Sequence, residues 1–116
     1  LRGGSNGKNI DNDNINEIIK KLGNINCNKS LILDVSHDNS LINGKKYFKE
    51  QINNIEYICD NIQELYLVRG VMIESNINEG KQSISDNLKY GVSITDGCIS
   101  LDDTYKCLKK IDLCNN

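Results

Sequence analysis

Apolar residues recur at three- and four-residue spacing in three stretches of the chain, and this pattern predicts three amphipathic helices. The first covers residues 15–22, where the acidic and amide side chains at 11–14 can act as N-caps and Gly23 can end the helix. The second runs from residue 45 to about residue 62 with its lysines on the opposite side, and the third begins at Leu101. Each helix is expected to pack one face against a core.

Two short apolar runs separate these helices and predict strands. Residues 31–35 are apolar except for Asp34, which suggests a strand buried on both faces, and residues 65–73 form a second run rich in β-branched residues. Residues 36–43 are polar and residues 74–100 are polar and punctuated by glycine, so we expect loops there. Strands that alternate with helices indicate parallel strands in an α/β fold. Periodicity alone leaves open both a flavodoxin-like sheet and a section of a barrel.

Length and charge narrow the class of protein. A chain of 116 residues is one domain at most and can bury only a modest core. The formal net charge is −2, and the main basic cluster, at Lys45, Lys46 and Lys49, has few aromatic residues around it, so we expect no nucleic-acid partner. No apolar run approaches the ~20 residues that span a bilayer, so no membrane partner is expected. The chain starts at Leu1 without a visible leader, and we expect it to be cut at the front.

Five cysteines are present, an odd number without a CxxC pair. This count favours neither a disulfide framework nor a zinc knuckle, and it fits a reducing, cytoplasmic location. Cys107 and Cys114 are seven residues apart, on one helical face, and we interpret both as small buried apolar groups.

Ionisable residues stand where each predicted strand should end. Arg2 precedes two glycines, His37 follows the first apolar run and Glu74 follows the second, while Asp96 lies in the long loop. The carboxyl ends of parallel strands share one rim, so these side chains should converge. An imidazole and two carboxylates suit a divalent ion of the Mn, Fe, Co or Zn class. By residue type alone, a hydrogen-bonded loop histidine, solvated carboxylates and a surface arginine are the more common interpretation.

Four longer segments resemble, in order and spacing, the C-terminal part of the type I 3-deoxy-7-phosphoheptulonate (DAHP) synthases. They are LRGG at 1–4, ILDVSHDNS at 32–40, GVMIESNINEGKQS at 70–83 and LKYGVSITDGCISLDDT at 88–104. Several long motifs in register are more specific than one short pattern. The resemblance implies a (β/α)₈ barrel, of which residues 1–116 would be a fragment of the single domain, from the end of strand six through the final helix.

The resemblance also implies roles for matching residues. Arg2 would hold the phosphate of phosphoenolpyruvate, and His37, Glu74 and Asp96 would be three of four metal ligands, with His37 also near the enolpyruvate as a catalytic group. The family's fourth ligand, a cysteine, and its erythrose 4-phosphate motif are N-terminal and match nothing here, so no cysteine is assigned to the metal. Residues 100–102, Ser-Leu-Asp, replace the family's usual Gly-Trp-Glu.

The implied activity is the metal-dependent condensation of phosphoenolpyruvate with erythrose 4-phosphate, the first step of the shikimate pathway to aromatic amino acids. The related 3-deoxy-octulosonate 8-phosphate synthase is the nearest enzyme alternative, and an inactive relic or association domain is the other. Family analogy implies a homo-oligomer. We expect the 116-residue chain alone to be inactive, because a closed barrel needs about 250 residues.

Overall fold

A computed structural model describes residues 1–23, 25–26 and 29–114 as a mixed α/β structure. In chain order the elements are α1 (Asn12–Leu22), β1 (Leu31–Asp34), a 3₁₀ turn (His37–Ser40), β2 (Leu41–Ile42), β3 (Lys45–Lys46), α2 (Glu50–Asp60), β4 (Val68–Met72), β5 (Ser75–Asn76), β6 (Ile99–Ser100) and α3 (Leu101–Cys114). No helix within the described ranges is both long and apolar enough to cross a membrane.

Helix α1 begins and ends where the sequence predicted. The Asp11 side chain accepts a hydrogen bond from the backbone N–H of Asn14, and the N–H of Gly23 donates to the carbonyls of Ile19 and Lys20. These bonds satisfy groups that a helix end leaves without intrahelical partners. Ile15, on the predicted apolar face, is buried.

Helix α2 starts five residues later than predicted. The lysines at 45 and 46 form strand β3, which pairs antiparallel with β2 in a short hairpin. The turn consists of Asn43 and Gly44, both with positive φ (50° and 75°), a conformation that Asn-Gly pairs adopt readily at hairpin turns. The prediction of helix at residues 45–49 is therefore wrong, because the turn residues determine the local structure there.

Strands β1 and β4 pair in parallel, as predicted, with Leu33 opposite Val71. One face of this pair is fully buried at Leu33 and Val35. The opposite face is open, since Ile32 is 60% exposed and Met72 is 42% exposed. The prediction that the first strand is buried on both faces is wrong for this chain, because its described elements cover only one side of the pair.

The predicted loop at residues 74–100 begins and ends in paired strands. β5 and β6 pair in parallel, and the N–H of Ile99 donates to the carbonyl of Glu74 at 3.1 Å. Further along, Gly80 and Cys98 form an antiparallel bridge. The far end of the loop therefore returns to the end of β4.

The core lies between the buried face of the β1–β4 pair and the helices. It contains these buried apolar side chains: Ile10, Ile15, Leu31, Leu33, Val35, Ile55, Ile58, Cys59, Leu65, Ile99 and Cys107. The burial predicted for Cys107 is confirmed, whereas Cys114 is only partly buried. Cys27 lies outside the described residues, and the four described cysteines are free thiols.

Candidate metal centre

Three of the predicted site residues meet at the carboxyl ends of the parallel strands. One ligand atom from each of His37, Glu74 and Asp96 lies within 4.8 Å of the other two. His37 Nε2 is 3.7 Å from a carboxylate oxygen of Glu74. All three residues are half-buried. The arrangement offers one nitrogen and two oxygen ligands to a common point, a set that suits Mn, Fe, Co or Zn.

Asp34 orients the His37 ring. Its Oδ2 lies 2.7 Å from His37 Nδ1, and its Oδ1 accepts the backbone N–H of Ser36 at 2.9 Å. In a neutral His37 ring that donates from Nδ1 to Asp34, the lone pair lies on Nε2, the nitrogen nearer to Glu74. Histidines that bind metals commonly donate their other nitrogen to a carboxylate in this way. This role was not predicted from the sequence, although Asp34 interrupts an apolar strand three residues before the histidine.

Buried amide side chains hold the His37 loop on the scaffold. Asn39 is fully buried, and its Nδ2 donates to the carbonyl of Asp34 at 2.8 Å. Asn54, on α2, donates from Nδ2 to the carbonyls of Val35 and Asn39, at 2.8 Å each. Burying such groups is costly unless they are paired, so these bonds connect α2 firmly to the end of β1.

Glu74 is held at its backbone by another amide of α2. Its N–H donates to Gln51 Oε1 at 2.8 Å, and Gln51 Nε2 donates to its carbonyl at 3.2 Å. Gln51 is fully buried. Neither Gln51 nor Asn54 was identified from the sequence, where polar residues within an amphipathic helix are expected to face solvent.

Cys98 lies two residues after Asp96 but is not part of the three-residue group. Its thiol donates to the carbonyl of Asp96 at 3.5 Å. Burial raises the pKa of Cys98, a hydrogen bond with Ser93 lowers it by less, and the carboxylates of Glu74 and Asp96 add smaller increases.

A cavity of about 340 Å³ adjoins the three-residue group and contains both His37 and Asp96 in its wall. Two lysines, Lys46 and Lys81, also line it. Lys46 makes an ion pair with Asp38 at 3.2 Å, while Lys81 has no ion pair in the part of the chain that the structure describes. Neither lysine was identified as a site residue from the sequence, because Lys46 was predicted to lie in a helix and Lys81 in a long loop.

Arg2 lies beside the His37 loop through its backbone, and its side chain is exposed. The carbonyl of Arg2 accepts the N–H of Asp38 at 3.1 Å, and the next residue, Gly3, has φ of +78°. A Cβ at Gly3 would come within 2.6 Å of the Asp38 backbone, so only glycine allows this close approach. The backbone of Arg2 therefore lies next to the histidine loop, whereas its side chain is not part of the wall of the cavity described above.

Comparisons with known proteins converge on one family. The family model described as "DAHP synthetase I family" matches residues 1–109. The chain is 42% identical over 108 residues to a putative phospho-2-dehydro-3-deoxyheptonate aldolase of Schizosaccharomyces pombe. This match covers 90% of the chain and 28% of the relative. The chain is 40% identical to the phenylalanine-inhibited phospho-2-dehydro-3-deoxyheptonate aldolase of Saccharomyces cerevisiae, in a match that covers 94% of this chain and 31% of the relative.

A solved structure has the same fold over nearly the whole chain. The phospho-2-dehydro-3-deoxyheptonate aldolase of Francisella tularensis is 35% identical, superposes with a TM-score of 0.89 and covers 98% of this chain. The match takes up 33% of that structure. The chain therefore spans about a third of the length of the proteins that it matches.

Proposed function

The chain belongs to the DAHP synthetase I family, and we propose that it is the C-terminal part of a 3-deoxy-7-phosphoheptulonate synthase. The reaction would join phosphoenolpyruvate to erythrose 4-phosphate. The observation that carries the proposal is the meeting of His37, Glu74 and Asp96 in a chain that matches this family over almost its full length. The relatives described above bear the heptonate name, which favours this reaction over the octulosonate alternative.

We propose that His37, Glu74 and Asp96 bind a divalent ion of the Mn, Fe, Co or Zn class. Support comes from the 4.8 Å grouping of their ligand atoms and from Asp34, which leaves the His37 Nε2 lone pair available. A thiolate from the remainder of the protein would complete the ligand set, as the family resemblance implies. When bound, the ion would supply Lewis acidity toward the sugar aldehyde.

The proposed parent fold is a closed (β/α)₈ barrel in which residues 1–116 form the last portion of one domain. The open face of the β1–β4 pair, with exposed Ile32 and Met72, supports it. Parallel sheets are normally covered on both faces. In the complete barrel this face would point into the interior and contact side chains from the strands that this chain lacks.

Charge around the cavity supports phosphorylated substrates. Lys46 and Lys81 line it, and together with Arg2 and a divalent ion they would outweigh the carboxylates of Asp34, Glu74, Asp96 and Asp38. Arg2, beside the same loop, would bind the phosphate of phosphoenolpyruvate through two N–H groups of its planar guanidinium. His37 would contact the enolpyruvate as well as the metal. The complete protein is further proposed to be a cytoplasmic homo-oligomer, the latter by family analogy.

The experiment is a chimera in which residues 1–116 replace the matching C-terminal segment of the Saccharomyces cerevisiae relative. Loss of the ultraviolet absorbance of phosphoenolpyruvate reports turnover, and it should require both substrates and added Mn²⁺. His37→Ala should abolish the signal, whereas the matched control Lys20→Ala, on the exposed side of α1, should not. A chimera that is folded by circular dichroism, binds Mn²⁺ and still shows no turnover would contradict the proposed reaction.

A further inference from the structure

A second cavity, of about 300 Å³, lies between α2, α3 and β4. Its wall contains two thiols, Cys59 near the end of α2 and Cys114 at the end of α3, among mainly apolar side chains. Gln51, which contacts Glu74, is eight residues before Cys59 on α2, so the thiols lie roughly 12 Å along the helix from that contact. The cavity therefore belongs to a different part of the molecule from the metal centre.

Both thiols belong to the wall of this one cavity, where α2 and α3 pack together. The Cys114 thiol donates to the carbonyl of Ile111 at 3.2 Å. Burial raises the pKa of Cys59 to about 12, and interaction with Cys114 contributes. Cys59 is 7% exposed, whereas Cys114 is only partly buried, so a reagent from solution reaches Cys114 first.

We propose that Cys59 and Cys114 form a modifiable dithiol, which a small disulfide of the glutathione class oxidises to an intramolecular disulfide that joins α2 to α3. The Cys114 sulfur, as thiolate, attacks one sulfur of the small disulfide and releases one thiolate, leaving a mixed disulfide on Cys114. The Cys59 thiol then loses its proton to that thiolate and attacks the Cys114 sulfur, expelling the second small thiolate, which takes up the proton that Cys114 had released to water. Two cysteine thiols are oxidised and one small disulfide is reduced to two thiols, so atoms and electrons balance.

The other described cysteines lack this arrangement. Cys98 is buried at the metal centre with its thiol on the carbonyl of Asp96, and Cys107 is buried in the core. Burial also raises the pKa of both thiols. Within the described ranges, neither has another thiol as a hydrogen-bond partner, so each serves as an internal reference for Cys59 and Cys114.

The new bond would close a loop of about 55 residues, which contains Glu74, Asp96 and the strands that carry them. Closing a loop of this length restricts the unfolded chain far more than the folded one. On the chain-entropy account, the bond should raise Tm by about 15–20 °C if the native geometry accepts it without strain. Oxidation would thereby stabilise the scaffold beneath two of the three proposed metal ligands.

The test uses the purified 116-residue chain with oxidised glutathione, followed by alkylation of the remaining thiols and trypsin. Each of the five cysteines falls in its own tryptic peptide, with Cys59 in residues 50–69 and Cys114 in residues 111–116. We expect an intact mass about 2 Da lower and a link between these two peptides about 10-fold more abundant than any other pair. Cys114→Ser should remove the link, and the matched control Cys107→Ser should leave it in place.

The reference for the native link is the same chain oxidised in urea. In the unfolded chain, the chance that two thiols meet depends only on their separation in the sequence. A 59–114 link that is no more abundant in the native chain than in urea would overturn the proposal. A glutathione adduct on Cys114 that persists without closing to Cys59 would also overturn it, and so would a native link that leaves Tm unchanged or lowers it.

Discussion

Asp34→Asn should weaken divalent metal binding at the His37 group by about 10- to 100-fold. The asparagine has the same shape and can still accept the Ser36 N–H through Oδ1. Its amide nitrogen then faces His37 Nδ1, which must accept instead of donate. The ring hydrogen moves to Nε2, the nitrogen that faces Glu74, and the lone pair needed by a metal is lost.

The magnitude follows from the geometry around a buried carboxylate. Asp34 is 4% exposed, and its contact with Nδ1 is 2.7 Å long, the length of a charge-assisted hydrogen bond. To bind a metal through Nε2, the variant must return to the Nδ1–H tautomer. The ring N–H of His37 then faces the side-chain amide NH₂ of the new asparagine, and two donors oppose each other. A 10- to 100-fold loss corresponds to roughly 1.4–2.7 kcal/mol, within the range of one hydrogen bond to a charged group.

The assay is titration of Mn²⁺, followed by electron paramagnetic resonance of the free ion, on the chimera and on its variants. Asp38→Asn is the matched control, because this neighbouring carboxylate pairs with Lys46 rather than with the ring. Circular dichroism checks that both variants keep the fold. Equal Mn²⁺ dissociation constants for Asp34→Asn and the parent would refute the orienting role of Asp34.

Three further outcomes are expected. The 116-residue chain alone should show under about 1% of the chimera's turnover in a phosphate-release assay, because barrel closure needs about 250 residues. In the chimera, Arg2→Lys should lower kcat/KM for phosphoenolpyruvate by an amount equivalent to about 1.5–3 kcal/mol of transition-state stabilisation, since the guanidinium fork is lost. An unchanged kcat/KM would show that Arg2 does not bind the phosphate. Gly3→Ala should destabilise the fold by about 1–3 kcal/mol in urea unfolding, given its φ and the 2.6 Å approach to Asp38, while Gly4→Ala, with open space at Cβ, should cost less.

Local chemistry was sufficient to predict the three helices and the strands β1 and β4, but not the short strands β2, β3, β5 and β6. Apolar spacing placed α1 and α3, the Asp11 cap and Gly23 set the limits of α1, and the alternation of strand and helix predicted the parallel β1–β4 pair. The helix start at residue 45 failed because a two-residue Asn-Gly turn outweighs helical spacing over a few residues. The strand-end positions of His37 and Glu74 carried enough information to anticipate that they would meet, since parallel strands share a rim.

The sequence by itself determined the residue types at the strand ends, the order of the elements and, through four long motifs, the family. Only the tertiary structure decided which polar groups support the site. Asp34 contacts the His37 ring, while Gln51 and Asn54 on α2 hydrogen-bond to the backbone at the ends of β4 and β1. These contacts join residues far apart in the chain, or depend on which side of a strand turns inward, and no local spacing encodes them. The shared cavity of Cys59 and Cys114 has the same origin, because the packing of α2 against α3 brings both thiols to one cavity wall, while the sequence shows them only as separate apolar positions.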